Sequence, residues 1–119
     1  MTYQAVKEFD RANLPLMMLD QIPAGVTVIN PEGTILYYNE YSTQILDRKP
    51  EYLGKDIRQC HKKPESIEKI DRMLEEIKGG RKKAFQYEII RDGRRLIVNN
   101  TPFLIDGRLF GCIQTVYPK

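Results

Sequence analysis

The chain has one histidine, His61, in the run Gln59-Cys60-His61-Lys62-Lys63-Pro64, beside one of its two cysteines. A single imidazole rules out any metal centre that needs two, so a one-histidine ligand site is the most this side chain can offer. Its structural alternative is a surface histidine beside a helix N-terminus, whose dipole disfavours protonation. Cys60 and Cys112 lie far apart with no C-x-x-C spacing, which argues against a disulfide framework and a zinc site. Beside Lys62 and Lys63, Cys60 reads as an ordinary thiol or a redox-sensitive one. No Ser, His, Asp or Cys, His, Asn set with a local signature surrounds His61, and neither G-x-G-x-x-G nor G-x-x-x-x-G-K-[ST] occurs. The run Lys78-Gly79-Gly80-Arg81-Lys82-Lys83 has the composition of a phosphate cradle, but it ends a helix where such a cradle must begin one. Asn99 and Asn100 are adjacent on a strand pattern, so they face opposite ways and cannot form one amide pair. Catalysis is not expected; binding is.

The elements that position these residues must fit in 119 residues, 41% hydrophobic and 29% charged, with a formal net charge of +3. That length holds one domain and one buried site, which excludes multidomain enzymes and solenoid arrays. The basic clusters Lys62-Lys63, Lys78 to Lys83 and Arg91 to Arg95 alternate with acidic segments, so they read as solvated faces and no direct nucleic-acid partner is expected. The most apolar stretch, Leu14 to Leu19, is broken by Pro15 and far short of the ~18 residues of a membrane span. Met1-Thr2-Tyr3-Gln4 does not open as a signal peptide. A cytoplasmic location without a membrane span is therefore expected.

Proline and glycine divide the chain in the order α, ββ, α, βββ. Thr2 can cap a short helix carrying Val6, Phe9 and Ala12, and a second apolar piece runs through Met17, Met18 and Ile22 to Pro23. Residues 1–15 form an N-terminal helical extension in this reading, and residues 16–117 the domain. Val26-Thr27-Val28-Ile29 and Thr34-Ile35-Leu36-Tyr37-Tyr38 flank Asn30-Pro31-Glu32-Gly33, a hairpin signature. A short helix spans Asn39 to Leu46, and Asp47 to Lys63 is irregular. Pro64 to Lys78 is the clearest helix: Ile67, Ile70, Met73, Leu74 and Ile77 recur at three- and four-residue steps, Glu65 and Glu68 precede Lys69 and Arg72 by four, and Gly79-Gly80 ends it.

Three antiparallel strands follow, Ala84 to Arg91, Arg94 to Phe103 and Leu109 to Tyr117. A two-residue turn at Asp92-Gly93 pairs Ile89 with Leu96, Tyr87 with Val98 and Phe85 with Asn100 on one apolar face. The turn at Asp106-Gly107 leaves two registers. A two-residue loop puts Ile113 inside, whereas a three-residue loop with a bulge puts Phe110, Cys112 and Gln114 inside. The bulged loop is preferred, because it gathers Phe110, Cys112 and Val116 on the apolar side; Gly111 and Thr115 then face outward, and Leu109 and Ile113 need an external apolar partner.

This order of elements resembles a PAS domain, a member of the sensory PAS/PAC family. Leu19 to Glu40, through Gly25-Val26-Thr27-Val28-Ile29-Asn30-Pro31-Glu32-Gly33, is similar to the first PAS hairpin, Tyr52-Leu53-Gly54-Lys55-Asp56-Ile57 to the entry into the central helices, and Phe110-Gly111-Cys112-Ile113-Gln114 to the last strand. The likeness covers about Leu16 to Val116. It departs at Thr115-Val116-Tyr117-Pro118-Lys119, where many sensory PAS domains have an acidic residue, a hydrophobe and Thr before a signalling helix.

The resemblance implies an α+β fold, a five-stranded antiparallel sheet with short helices on one face. It also implies a sensory signal-transduction role as the input module of a bacterial regulator. A small ligand would sit between sheet and helices, and occupancy would pass through dimer contacts to a downstream effector. The register supplies pocket candidates: Phe85, Tyr87, Ile89, Leu96, Val98, Asn100, Phe110, Cys112 and Gln114, which could equally be filled core. Heme-binding PAS domains take their axial histidine from the region of His61, so heme is a possible cofactor, with Lys62, Lys63, Arg58 or a strand arginine for the propionates. Flavin is disfavoured: Gln114 matches the flavin-contacting glutamine of the light-sensing branch, but the surroundings of Cys60 differ from Asn-Cys-Arg-Phe-Leu-Gln, and Leu96 stands where a flavin-binding asparagine would. The alternative of a different class is a ligand-free homodimerisation module, in which Val6, Phe9, Met17 and Met18 pack on an outer sheet face near Ile97, Leu109 and Ile113.

Overall fold

The computed structural model describes residues 14–46, 48–61 and 63–119. Most of the proposed N-terminal extension, with Val6 and Phe9, lies outside the described residues, as does Lys62. The first described element is a helix, α1 (Leu14–Gln21), with Met17 and Met18 exposed. Then follow β1 (Gly25–Ile29), β2 (Ile35–Tyr38), α2 (Glu40–Ile45), single 3-10 turns at Pro50–Tyr52 and Ile57–Cys60, and α3 (Pro64–Lys78). Three strands complete the chain: β3 (Phe85–Arg91), β4 (Arg94–Ile105) and β5 (Arg108–Pro118). Among the described residues, no helix is long and apolar enough to cross a membrane.

All five strands pair antiparallel in the order β2-β1-β5-β4-β3, the α+β layout expected of a PAS fold. β5 is the central strand, and its partners β1 and β4 protect both of its edges. The β3–β4 hairpin has the expected register, Phe85 opposite Asn100, Tyr87 opposite Val98 and Ile89 opposite Leu96. Its turn, Asp92 at φ 52° and Gly93 at φ 75°, has the left-handed geometry that tightly twisted hairpins favour. Helix α3 covers the inner face of the sheet and buries Ile70, Met73, Leu74 and Ile77. Each such side chain contributes about 1.5–3 kcal/mol of apolar burial. Together with Ile29, Ile35, Ile57 and Cys112 they form one core cluster; a second, of Ile45, Leu96, Val98 and Val116, lies under α2.

The last hairpin departs from both registers considered for it. Asp106 and Gly107 form a two-residue turn, at φ 50° and 77°, yet Leu104 pairs with Leu109 and Phe103 with Gly111. Phe110 is the extra residue of a bulge between these pairs. The bulge shifts the rest of the strand by one, which turns Cys112, Gln114 and Val116 inward as expected. Phe110 itself is corrected: it is half-exposed and edge-on to Phe103, 5.4 Å between ring centres, on the outer side. Leu109, expected outside, packs against the inner core. Gly111, expected to face outward, is buried against β1: a Cβ there would lie 2.0 Å from the carbonyl oxygen of Ile29.

Candidate functional site

Helix α3 stops short of filling the space above β3, β4 and β5. The result is a cavity of about 290 Å³ walled by Ile57, Lys69, Ile70, Arg72, Met73, Phe85, Tyr87, Asn100 and Gln114. Its sides are apolar, from Ile57, Ile70, Met73 and Phe85. Its sheet wall carries a polar row, because Gln114 and Asn100 are cross-strand partners on the inner face and Tyr87 reaches them from β3. The volume lies at the lower edge of the ~300–1,000 Å³ typical of ligand pockets.

The polar row begins outside the cavity. Arg48, in the segment after α2, is 6% exposed, and its Nη2 donates to Gln114 Oε1 at 3.2 Å. Gln114 Nε2 donates to Asn100 Oδ1 at 3.3 Å, and Asn100 Nδ2 donates to the Tyr87 hydroxyl oxygen at 3.5 Å. Arg48 Nε has no hydrogen-bond partner among the described residues, nor has the hydroxyl of fully buried Thr27, which lies directly across from Gln114. Burial pulls the Arg48 pKa below the usual guanidinium value, and the adjacent Cys60 thiol opposes that shift. Burial raises Tyr87, partly offset by the Asn100 amide. At the helix wall, Lys69 Nζ lies 5.1 Å from the centre of the Tyr87 ring. Neither Lys69 nor Arg72 forms a salt bridge among the described residues, so the expected pairs with Glu65 and Glu68 are absent there.

Of the pocket candidates, the structure brings Phe85, Tyr87, Asn100 and Gln114 to the cavity wall. Leu96 and Val98, 1% and 2% exposed, are instead core beneath α2, and Ile89 packs against that cluster. Cys112 is fully buried in the core under α3, and burial pushes its thiol up to about 12. His61 caps the 3-10 turn Ile57–Cys60 and does not wall the cavity. Burial first, then the charges of Arg48 and Arg91, lower its pKa. Arg58, considered for propionates, is held by Asp71 at 2.6 Å, Asp56 at 2.9 Å and the Glu32 carbonyl at 3.1 Å. Arg58 is thus engaged by its own neighbours, while Lys62 lies outside the described residues.

Sequence reasoning passed over Arg48, Lys69 and Arg72. Lys69 and Arg72 had a usable signal, since they flank Ile70 and Met73 on the helix stripe. Arg48 had none: nothing in an irregular charged segment marks which charge is buried.

A family model described as PAS domain matches residues 23–115. No curated protein matches the sequence. Among solved structures, a C-terminal domain from Streptococcus mutans superposes with a TM-score of 0.77 at 18% identity, covering 92% of this chain and 89% of that one. The PAS domain of Bordetella pertussis BvgS gives 0.71 at 18% identity over 93% and 88% of the two chains. The PAS domain of histidine kinase ThkA gives 0.62 at 19% identity over 81% and 99%. At these identities the likeness speaks for the fold.

Proposed function

The chain belongs to the PAS domain family, and from that membership and the cavity under α3 we propose that it is a sensory signal-transduction module whose input is a small ligand bound against Tyr87, Asn100 and Gln114. The observation that carries this reading is a cavity with apolar sides and a convergent polar wall, where a merely structural core would be filled and uniformly apolar. The solved PAS domain of a histidine kinase supports a kinase-like output context. Binding can alter output only through a difference in affinity between two conformations.

The test is a ligand-observed NMR screen of small metabolites, repeated on Met73→Trp, which fills the cavity. Binders lost in a Met73→Trp protein that keeps its thermal transition support the reading. A screen whose binders are all retained refutes it.

Exposed apolar side chains favour an accompanying interaction surface. Leu16, Met17 and Met18 are exposed on α1, and Leu104, Ile105 and Phe110 on the rim of the last hairpin. We assign these to homodimer or effector contacts. Light scattering should then show a dimer that Met17→Lys with Met18→Lys reduces in mass; an unchanged mass removes the α1 part of this assignment.

A further inference from the structure

We infer that the cavity selects a small organic anion, an apolar body carrying one carboxylate, and that Arg48 imposes this preference from outside the cavity through a one-way chain of hydrogen bonds ending at the Tyr87 hydroxyl. This rests on the ligand-binding reading above and adds the chemistry of the ligand.

The direction of the chain follows from donor counts. A guanidinium has donors and no acceptor, so the group of Gln114 that meets Arg48 must be its carbonyl oxygen. The Gln114 amide nitrogen must then face Asn100, which turns the Asn100 carbonyl toward it and the Asn100 amide nitrogen toward Tyr87. Tyr87 oxygen receives that donor, and its own O–H has no acceptor among the described residues. The end of the chain that meets the cavity is therefore a donor. A positive charge at the far end polarises every link in the same sense.

Three further observations point the same way. The cavity wall holds two cations, Lys69 and Arg72, and no carboxylate. The unpartnered buried groups beside Gln114, Arg48 Nε and the Thr27 hydroxyl, can both donate. Arg48 is 6% exposed and has no salt bridge among the described residues, so its positive charge lies buried beside Gln114. A cationic ligand would meet like charge and a donor; a neutral hydrocarbon would leave the donor without an acceptor. The apolar sides from Ile57, Ile70, Met73 and Phe85 match the body of the ligand, and the volume keeps that body small.

The experiment uses benzoate, toluene and benzylamine as probes of one size and three polarities, followed by ¹H–¹⁵N NMR of the whole chain, including the side-chain amides of Gln114 and Asn100. Benzoate is expected to bind at least tenfold more tightly than toluene, to shift both amide pairs, and to outcompete benzylamine entirely. Tyr87→Phe should weaken benzoate about tenfold, the loss of one charge-assisted hydrogen bond, and leave toluene unchanged. Arg48→Met should erase the preference, but it removes a buried group and can fail to fold, so Tyr87→Phe carries the decision. Equal binding of benzoate and toluene, unaffected by Tyr87→Phe, overturns the anion preference and leaves the pocket a ligand site. Failure of all three probes to bind at millimolar concentration overturns the anion preference as well, and the metabolite screen with Met73→Trp then decides the ligand reading separately.

Discussion

Asn39 is where the fold is most exposed to a single substitution. Its side chain is 1% exposed and fully engaged. Oδ1 accepts from Val26 N at 2.8 Å and Ser42 N at 3.2 Å, and Nδ2 donates to the carbonyls of Leu19 at 2.7 Å and Ala24 at 2.8 Å. One amide thus caps α2, closes the start of β1 and ties down the end of α1. Asn39→Ala removes all four bonds. Ser42 N keeps a second acceptor in the Asn39 carbonyl, and the Leu19 and Ala24 carbonyls lie beside partly exposed residues, so these three cost ordinary amounts of about 0.5–1.5 kcal/mol each. Val26 N is left buried and unpaired, at about 1–3 kcal/mol. The sum is about 2.5–7.5 kcal/mol, a large share of the ~5–15 kcal/mol that holds a domain together, and a fall in Tm of more than about 10 °C.

Asn39→Asp sharpens the test because it keeps the shape and removes only the donors. Its carboxylate would face the Leu19 and Ala24 carbonyls with acceptors on both sides, which raises its folded pKa above the ordinary value of about 3.9. A group whose folded pKa is raised is least harmful below the unfolded pKa, and its destabilisation grows as pH rises through the folded value. Urea unfolding of the wild type and Asn39→Asp at pH 4.5 and pH 7.5 should show the wider gap at pH 7.5. A loss under about 1 kcal/mol in Asn39→Ala, or an equal gap for Asn39→Asp at both pH values, would refute the four-bond account.

Gly111→Ala should prevent pairing of β1 with β5, since its Cβ would lie 2.0 Å from Ile29 oxygen; Gly54→Ala, with open space around it but φ +80°, should cost only about 1–2 kcal/mol by denaturation. If both variants melt alike, the close approach at Gly111 is not what fixes the bulge. In native protein at pH 8, iodoacetamide should label partly exposed Cys60 well before Cys112, whose thiol is fully buried and pushed up to about 12, with peptide mass spectrometry as readout. Equal labelling rates would show that the core opens freely. His61 has a folded pKa below its ordinary 6.5, so the unfolded chain binds its proton first and stability falls as pH drops below about 6.5. His61→Gln should flatten the stability profile between pH 7 and pH 5, and an unchanged slope would place the imidazole in solvent.

The β3–β4 register and α3 were legible because each is fixed by neighbours in sequence: Asp92-Gly93 sets one turn, and Pro64, the apolar stripe and Gly79 bound one helix. Phe110 was misplaced because its bulge answers to a residue far away. Gly111 must lie against Ile29 oxygen, and only a residue without Cβ allows the approach, so the extra residue falls just before it. A glycine in a strand pattern was visible; the strand it would touch was not. The same distinction divides the candidate site. Phe85, Tyr87, Asn100 and Gln114 followed from alternation along strands, whereas Arg48 reaches Gln114 across a long sequence separation and leaves no periodic trace. Leu96 and Val98 share the alternation of the site residues, but α2 covers them, and alternation gives the face without saying which helix lies above it.

The anion reading also sets a requirement on the switch. Moving a domain from 1:99 to 99:1 between two conformations needs about a 10⁴-fold difference in affinity. The Tyr87 hydrogen bond supplies about tenfold. The remaining ~10³-fold is about 4 kcal/mol, or roughly 160 Å² of apolar surface at 25 cal/mol per Å². One aromatic side chain buries about that much. Phe85 and Tyr87, on the cavity wall, are each already mostly buried, Phe85 beneath Arg81 at 3.5 Å and Tyr87 beneath Lys69 at 5.1 Å, so neither ring alone has that much left to cover. Descent of α3 onto a bound ligand, covering what remains exposed of both rings together with the apolar body of the ligand, would close the gap; side-chain rotation alone would not. Hydrogen exchange at Ile70 and Met73 should then slow on benzoate binding while β1 and β2 stay unchanged. Uniform slowing across the sheet would mean that the ligand stabilises the domain without switching it.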